Sequence, residues 1–71
     1  MNWETNRYTG GEVLKLSDGI SVSILKFDSG FLINIMGQKE YYNINDETEA
    51  KLFAIKKLKE KLEDTLKKLE Q

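Results

Sequence analysis

Two hydrophobic periods divide this chain. Between residues 12 and 44 apolar residues alternate with polar ones. Ile20, Val22 and Ile24 share one side of an extended segment opposite Ser21 and Ser23, and Phe31, Ile33 and Ile35 do the same opposite Leu32, Asn34 and Met36. Turn residues interrupt the alternation at Asp18-Gly19, at Asp28-Ser29-Gly30 and at Gly37-Gln38. Asp-Gly supplies the backbone angles of a tight hairpin. The pattern therefore predicts four antiparallel strands over residues 12–16, 20–27, 31–36 and 40–44, joined as a β-meander. Trp3, Tyr8 and Thr9 also favour a strand, whereas Gly10-Gly11 reads as a break or bulge. An extra edge strand within residues 3–9 is thus a second reading.

From Asn45 onward there is neither Gly nor Pro, and the period changes. Ala50, Phe53, Ala54, Ile55, Leu58, Leu62, Leu66 and Leu69 recur at steps of three and four, the signature of an amphipathic helix. Asn45 or Asp46 can accept from the free amides of a first helical turn, and Asp46 with Glu49 has capping-box spacing. Acidic residues there also complement the positive end of the helix dipole. A helix over residues 46–70 would be about 36 Å long, against about 17–20 Å for a strand of ordinary length. Its far end should therefore lack a partner within its own chain. The steps from Ile55 through Leu58, Leu62 and Leu66 to Leu69 are 3, 4, 4 and 3, and both Ile55 to Leu66 and Leu58 to Leu69 span eleven residues. An eleven-residue repeat stays on one face of a nearly straight helix. Lys56 with Glu60, Lys59 with Glu63, Glu63 with Lys67 and Asp64 with Lys68 are spaced for ion pairs, each worth a few tenths of a kcal/mol.

The predicted fold class is α+β: an antiparallel four-stranded meander within residues 1–44, followed by one long amphipathic helix within residues 45–70, in a single domain. Leu14, Leu16, Ile20, Val22, Ile24, Phe31, Ile33 and Ile35 are the expected sheet side of the core. Ala50, Phe53, Ala54 and Leu58 would cover them. The opposite sheet face, with Ser21, Ser23, Leu25, Phe27, Leu32, Asn34 and Met36, is semi-apolar and has no helix to cover it.

Composition adds constraints. Seventy-one residues support one core, and without Cys no disulfide or thiolate-bound metal staples it, so association with another chain is favoured. The net charge of −1 conceals a polarity: residues 1–50 hold four cations against eight carboxylates, net −4, and residues 51–71 hold seven Lys against four carboxylates, net +3. Such asymmetry can orient an encounter with a partner. No run approaches the roughly 20 apolar residues of a bilayer span, and the start Met1-Asn2-Trp3-Glu4-Thr5 is polar. A cytoplasmic protein is expected.

The absence of His and Cys removes the commonest general base, the thiol nucleophile and the usual zinc ligands. The carboxylates stand singly at turns, strand ends or the helix's polar side, so no catalytic residue, cofactor site or metal site is expected. Gly10-Gly11 lacks the Lys-Ser/Thr of a phosphate-binding loop, and Asp18-Gly19 and Asp28-Ser29-Gly30 lack the alternating oxygen ligands of a calcium loop. An antiparallel sheet followed by a helix containing Glu49-Ala50-Lys51 resembles the second half of a double-stranded RNA-binding domain. That family, however, presents a basic helix start to phosphates, whereas Asp46, Glu47 and Glu49 stand here, and no first helix precedes the sheet. Stacking of single-stranded nucleic acid on Trp3, Tyr8, Tyr41 or Tyr42 would have to occur on a sheet half of net −4. The array Lys56, Lys57, Lys59, Lys61, Lys67 and Lys68 is interrupted by Glu and reads as a solvated face.

The Lys-, Asn-, Ile- and Glu-rich usage, the meander-plus-helix layout and the lack of catalytic residue types resemble small phage- and prophage-encoded anti-defence proteins, including anti-CRISPR inhibitors. The resemblance implies a non-catalytic protein that binds a bacterial defence or regulatory protein stoichiometrically in the host cytoplasm. A homodimer or small homo-oligomer is expected through Ile55, Leu58, Leu62, Leu66 and Leu69. Partner contacts are expected at Trp3, Tyr8, Tyr41 and Tyr42, with Asp18, Asp28 and Glu40, because exposed aromatics and acidic turns anchor protein interfaces. A nucleic-acid module using the helix lysines and an oligomeric sponge for a nucleotide signal, lined by backbone amides with Arg7 or lysines, remain as alternatives.

Overall fold

The alternating segment folds as hairpins in sequence order, because each two- or three-residue break returns the chain alongside the strand it has just left. A computed structural model describes residues 2–70. The strands are β1 (Glu4–Thr5), β2 (Glu12–Ser17), β3 (Ile20–Phe27), β4 (Gly30–Ile35) and β5 (Gln38–Tyr42), followed by the helix α1 (Glu47–Leu69). They form one antiparallel sheet in the order β1-β2-β3-β4-β5. The fold is α+β as expected, and the N-terminal edge strand exists in short form, pairing Glu4 with Val13 and Thr5 with Glu12.

Register sets the two faces. Val22 lies opposite Leu14 and Ile35, Ile24 lies opposite Ile33, and Phe31 lies opposite Tyr42. These positions share the face under α1, where Leu14, Val22, Ile24, Phe31, Ile33, Ala50, Ala54 and Leu58 form the buried core. Ala50 and Ala54 are fully buried; their single methyl groups let the helix backbone lie close above β3 and β4, the strands it contacts. Burial of this apolar surface is the main favourable term in folding, at about 25 cal/mol per Å².

Several sequence expectations shift for physical reasons. Leu16 is not in the core: the β2–β3 register slips between Lys15 and Ser17, and the bulge leaves Leu16 49 % exposed. Ile20 and Ile35, at the same end of the sheet, are half-buried. Met36 leaves the strand to form the β4–β5 turn with Gly37; both take positive φ, 51° and 91°, as the tight hairpin between the paired Ile35 and Gln38 demands. The Met36 amide still bonds the Ser21 carbonyl at 3.0 Å. Gly30 opens β4 because a Cβ there would collide with the Tyr42 carbonyl oxygen and lie 2.8 Å from the Tyr41 hydroxyl.

Asp46 is the N-cap, its Oδ2 accepting from the Glu49 amide at 3.1 Å, and Glu47 and Glu49 occupy the first turn. Among the described residues, Glu60 pairs with Lys57 at 3.8 Å rather than with Lys56, and Asp64 pairs with Lys68 at 3.9 Å as the spacing predicts. Lys56, Lys59 and Glu63 make no ion pair among those residues. The helix outruns the sheet, and the molecule extends 43 Å along its long axis against 24 and 19 Å across.

Candidate binding surfaces

Three surfaces leave polar or apolar groups available, and the sheet register decides which side chains meet on each. On the helix side, a groove of about 310 Å³ lies between α1 and strands β4 and β5. Ile33 and Ile35 of β4, Gln38, Glu40 and Tyr42 of β5, and Lys57, Glu60, Lys61 and Asp64 of α1 line it. Lys61 Nζ donates to Gln38 Oε1 at 2.6 Å, and the Tyr42 hydroxyl donates to the Glu40 carboxylate. That hydrogen bond, helped by partial burial and by the Glu40 charge, holds the Tyr42 phenol above its ordinary 10.0. Tyr42 is therefore a protonated donor at neutral pH. Its ring meets Phe53 edge-on at 4.6 Å, and Lys57 lies 5.5 Å above the Phe53 ring. Lys57 also pairs with Glu60, so the groove's cations are largely answered by its own carboxylates and amides.

On the β2 side of α1, Lys51 pairs with Glu12 and, more loosely at 3.9 Å, with Glu47. The Lys51 and Glu12 side chains are each about three-quarters buried, at 24 % and 23 % exposure. The hydrogen bond to Glu12 raises the Lys51 pKa above 10.5, and attraction to Glu12 and Glu47 adds to it while desolvation opposes it. The same ammonium stands 5.5 Å over the Trp3 ring, which packs against the core. This pair ties the first turns of the helix to β2. Ile55 and Leu62 are half-buried and pack on the core, while Leu66 and Leu69 are 58 % and 79 % exposed. Leu52, which the periodicity leaves off the apolar stripe, is 64 % exposed.

The third surface is the helix-free sheet face. Phe27 and Tyr41 stand on it as an edge-on pair with centroids 6.2 Å apart, each about half exposed, and Tyr41 shares a 2.7 Å hydrogen bond with Ser29 in the β3–β4 turn. The β1–β2 loop lies at this end of the sheet and ties itself. Asn6 Oδ1 accepts from the Tyr8 and Thr9 amides at 2.8 and 3.3 Å, Gly10 N–H bonds the Asn6 carbonyl, and Asn6 N–H bonds that of Gly11. Thr9 Oγ1 accepts from the Gly11 amide at 3.1 Å. Tyr8 stands at the tip, 98 % exposed. A shallow cleft of about 180 Å³ lies between this loop and the face, with Val13, Leu25 and Leu32 among its walls.

The expected partner residues thus separate. Tyr8, Tyr41 and Asp28 lie at the loop end or on the open face; Trp3, Tyr42 and Glu40 lie on the helix side, and Asp18 is exposed at the β2–β3 turn at the opposite end. Adjacent Tyr41 and Tyr42 point to opposite faces because a strand alternates. Phe27 stands on the uncovered face where the alternation places it and there meets Tyr41, whereas the Glu12–Lys51 pair joins distant positions and carries no local signal in the sequence. Among the described residues no group of three or more His, Cys, Asp or Glu side chains is placed to hold a metal, and no helix is long and apolar enough to cross a membrane. No protein-family model, curated protein or solved structure matches the chain.

Proposed function

We propose that the protein is a non-catalytic binding module that occupies a surface of a bacterial defence or regulatory protein and blocks it stoichiometrically. The observation that carries this reading is the presentation of Tyr8: an aromatic side chain 98 % exposed on a loop organised by its own hydrogen bonds. Exposing a tyrosine to water gains the isolated chain nothing, whereas a loop already fixed in shape gives up little conformational freedom on docking. Tyrosine is also among the residues that concentrate binding energy at interfaces. Phe27, Tyr41 and Asp28 stand at the same end of the sheet, and the net charge of −4 over residues 1–50 favours an electropositive partner surface. The target class follows from the resemblance to small phage-encoded inhibitors.

The test is affinity capture from bacterial lysate, with and without nuclease, comparing the parent with Tyr8→Ala/Tyr41→Ala. Both rings are substantially exposed, so circular dichroism should show the variant folded. The expected result is a nuclease-resistant protein, retained by the parent and lost by the variant. Nuclease-sensitive capture whose affinity falls steeply with salt and with loss of Lys56 and Lys59 would instead establish the nucleic-acid reading. Capture unchanged by the double substitution would reject the Tyr8 surface.

A further inference from the structure

The cleft of about 180 Å³ between the β1–β2 loop and the helix-free face is chemically one-sided. Strand register lays two rows of side chains beside each other across it. Ser23 lies opposite Asn34 and Asn34 opposite Lys39, a polar row running over β3, β4 and β5. Leu25 lies opposite Leu32, an apolar row one step along the same face. The Asn carbonyl oxygens of this lining are already engaged. Asn34 Oδ1 accepts from the Gly37 amide at 2.9 Å, and Asn6 Oδ1 accepts from the Tyr8 and Thr9 amides. These bonds set the orientation of both side-chain amides, and what each has left to offer is the donor Nδ2. Lys39 makes no ion pair among the described residues. Among those residues no Asp or Glu lines the cleft, although residues 1–50 carry a net charge of −4. Their carboxylates lie on the helix side, at turns, at the helix start or, for Glu4, on β1 beyond Val13.

We infer that this cleft binds a small organic acid, with its carboxylate on the Ser23–Asn34–Lys39 row and its apolar body on Leu25 and Leu32. Amide donors beside one unpaired ammonium match a single negative charge that accepts hydrogen bonds. A ligand bearing an ammonium would meet Lys39 with no carboxylate in the lining to answer it, and a bare inorganic ion would leave the leucine row uncovered. Size agrees. A cavity of about 150 Å³ holds benzene, so the cleft takes a ring or branched chain of that size together with a carboxylate. Its outer wall is the loop that Asn6 and Thr9 tie to its own backbone, a wall already shaped before a ligand arrives. Tyr8, which carries the proposed partner surface, is not part of the lining.

One ring carrying opposite head groups tests the assignment. Followed by amide NMR, benzoate should give saturable shifts at the Asn34 side-chain amide and at the Ser23 and Lys39 backbone amides, with a dissociation constant on the order of 1 mM. Benzylamine and inorganic phosphate should not saturate these signals. Asn34→Asp keeps an oxygen to accept from the Gly37 amide, and so keeps the β4–β5 turn, while setting a carboxylate in the polar row; it should abolish the benzoate response. Lys39→Gln, at an exposed position, should weaken binding about fivefold, the size of one exposed charge pair. Tyr8→Ala should leave it unchanged, so this site and the proposed partner surface fail separately. The inference is overturned by benzoate shifts that do not saturate or that centre on Gln38 and Tyr42 in the groove under α1. Benzylamine or phosphate binding as tightly as benzoate, or full benzoate binding by a folded Asn34→Asp, overturns it equally.

Discussion

The two halves of α1 carry the same apolar period and meet opposite fates. Ala50, Ala54 and Leu58 are buried against β3 and β4, whereas Leu66 and Leu69 stand in water. The near half achieves burial with small residues that bring two backbones together. The far half has larger side chains and nothing beneath them, because a strand of six residues ends long before a helix of 23 does. Periodicity therefore reports which face of a helix is apolar; what covers that face depends on the length of the neighbouring element. The transition is gradual, since Leu62 still reaches the core's edge.

The largest effect that can test this contrast is Leu58→Ala. In the buried half it should cost about 2–5 kcal/mol, read as a lowered urea midpoint. Leu69→Ala, measured at protein concentrations too low for association, should stay within about 0.5 kcal/mol. Equal losses at both sites would show that the far half is covered within the monomer. Ala54→Leu sharpens the same point from the other direction: inserting bulk where the helix lies close above the sheet should cost about 1–3 kcal/mol, with the urea slope unchanged. Asp46→Ala removes the bond to the Glu49 amide at the buried end and should cost about 1 kcal/mol, whereas Thr65→Ala, which loses a hydroxyl donated to the Lys61 carbonyl, should change little.

The smallest expected effect is alkaline. Tyr42 and Lys51, both on the near half's side of the molecule, have pKa values raised above 10.0 and 10.5 on folding. Each therefore holds its proton more tightly folded than unfolded, so its contribution is full below those values. As pH rises past about 10 the unfolded chain loses protons first, and stability falls until the folded groups titrate as well. Urea midpoints should be level up to that point and then decline, and Glu12→Gln should remove the Lys51 share of the decline. A midpoint that rises between pH 10 and 11 would contradict the assigned directions.

Much of this architecture was legible in the residues. Alternation at Ile20, Val22 and Ile24 with Asp18-Gly19 beside it located the β2–β3 hairpin, and Asp46 marked the helix start, because those signals act within a few residues. Leu16 and Met36 misled for a common reason. Each is apolar and continues an alternating run, while its place is set by the backbone, a bulge in one case and a left-handed turn in the other. The ion pairs were degenerate, since Lys56 four residues and Lys57 three residues before Glu60 both lie within helical reach of it. For the candidate surfaces, the residue types were readable but not their grouping. Trp3 packs beside Lys51 while Tyr8, five positions on, stands free, and only the pairing of Glu4 with Val13 and the turn held by Asn6 separate them.

The sheet order has a consequence in time. Every strand lies beside its neighbour in sequence, so each pairing closes a loop of only a few residues and costs little chain entropy at the moment it forms. A chain assembled from such local closures has low contact order and should fold fast and as one step. Its central hairpin needs no distant partner to begin pairing. The long-range event is the laying of Ala50, Ala54 and Leu58 onto a sheet already zipped, so substitutions at these three should speed unfolding more than they slow folding.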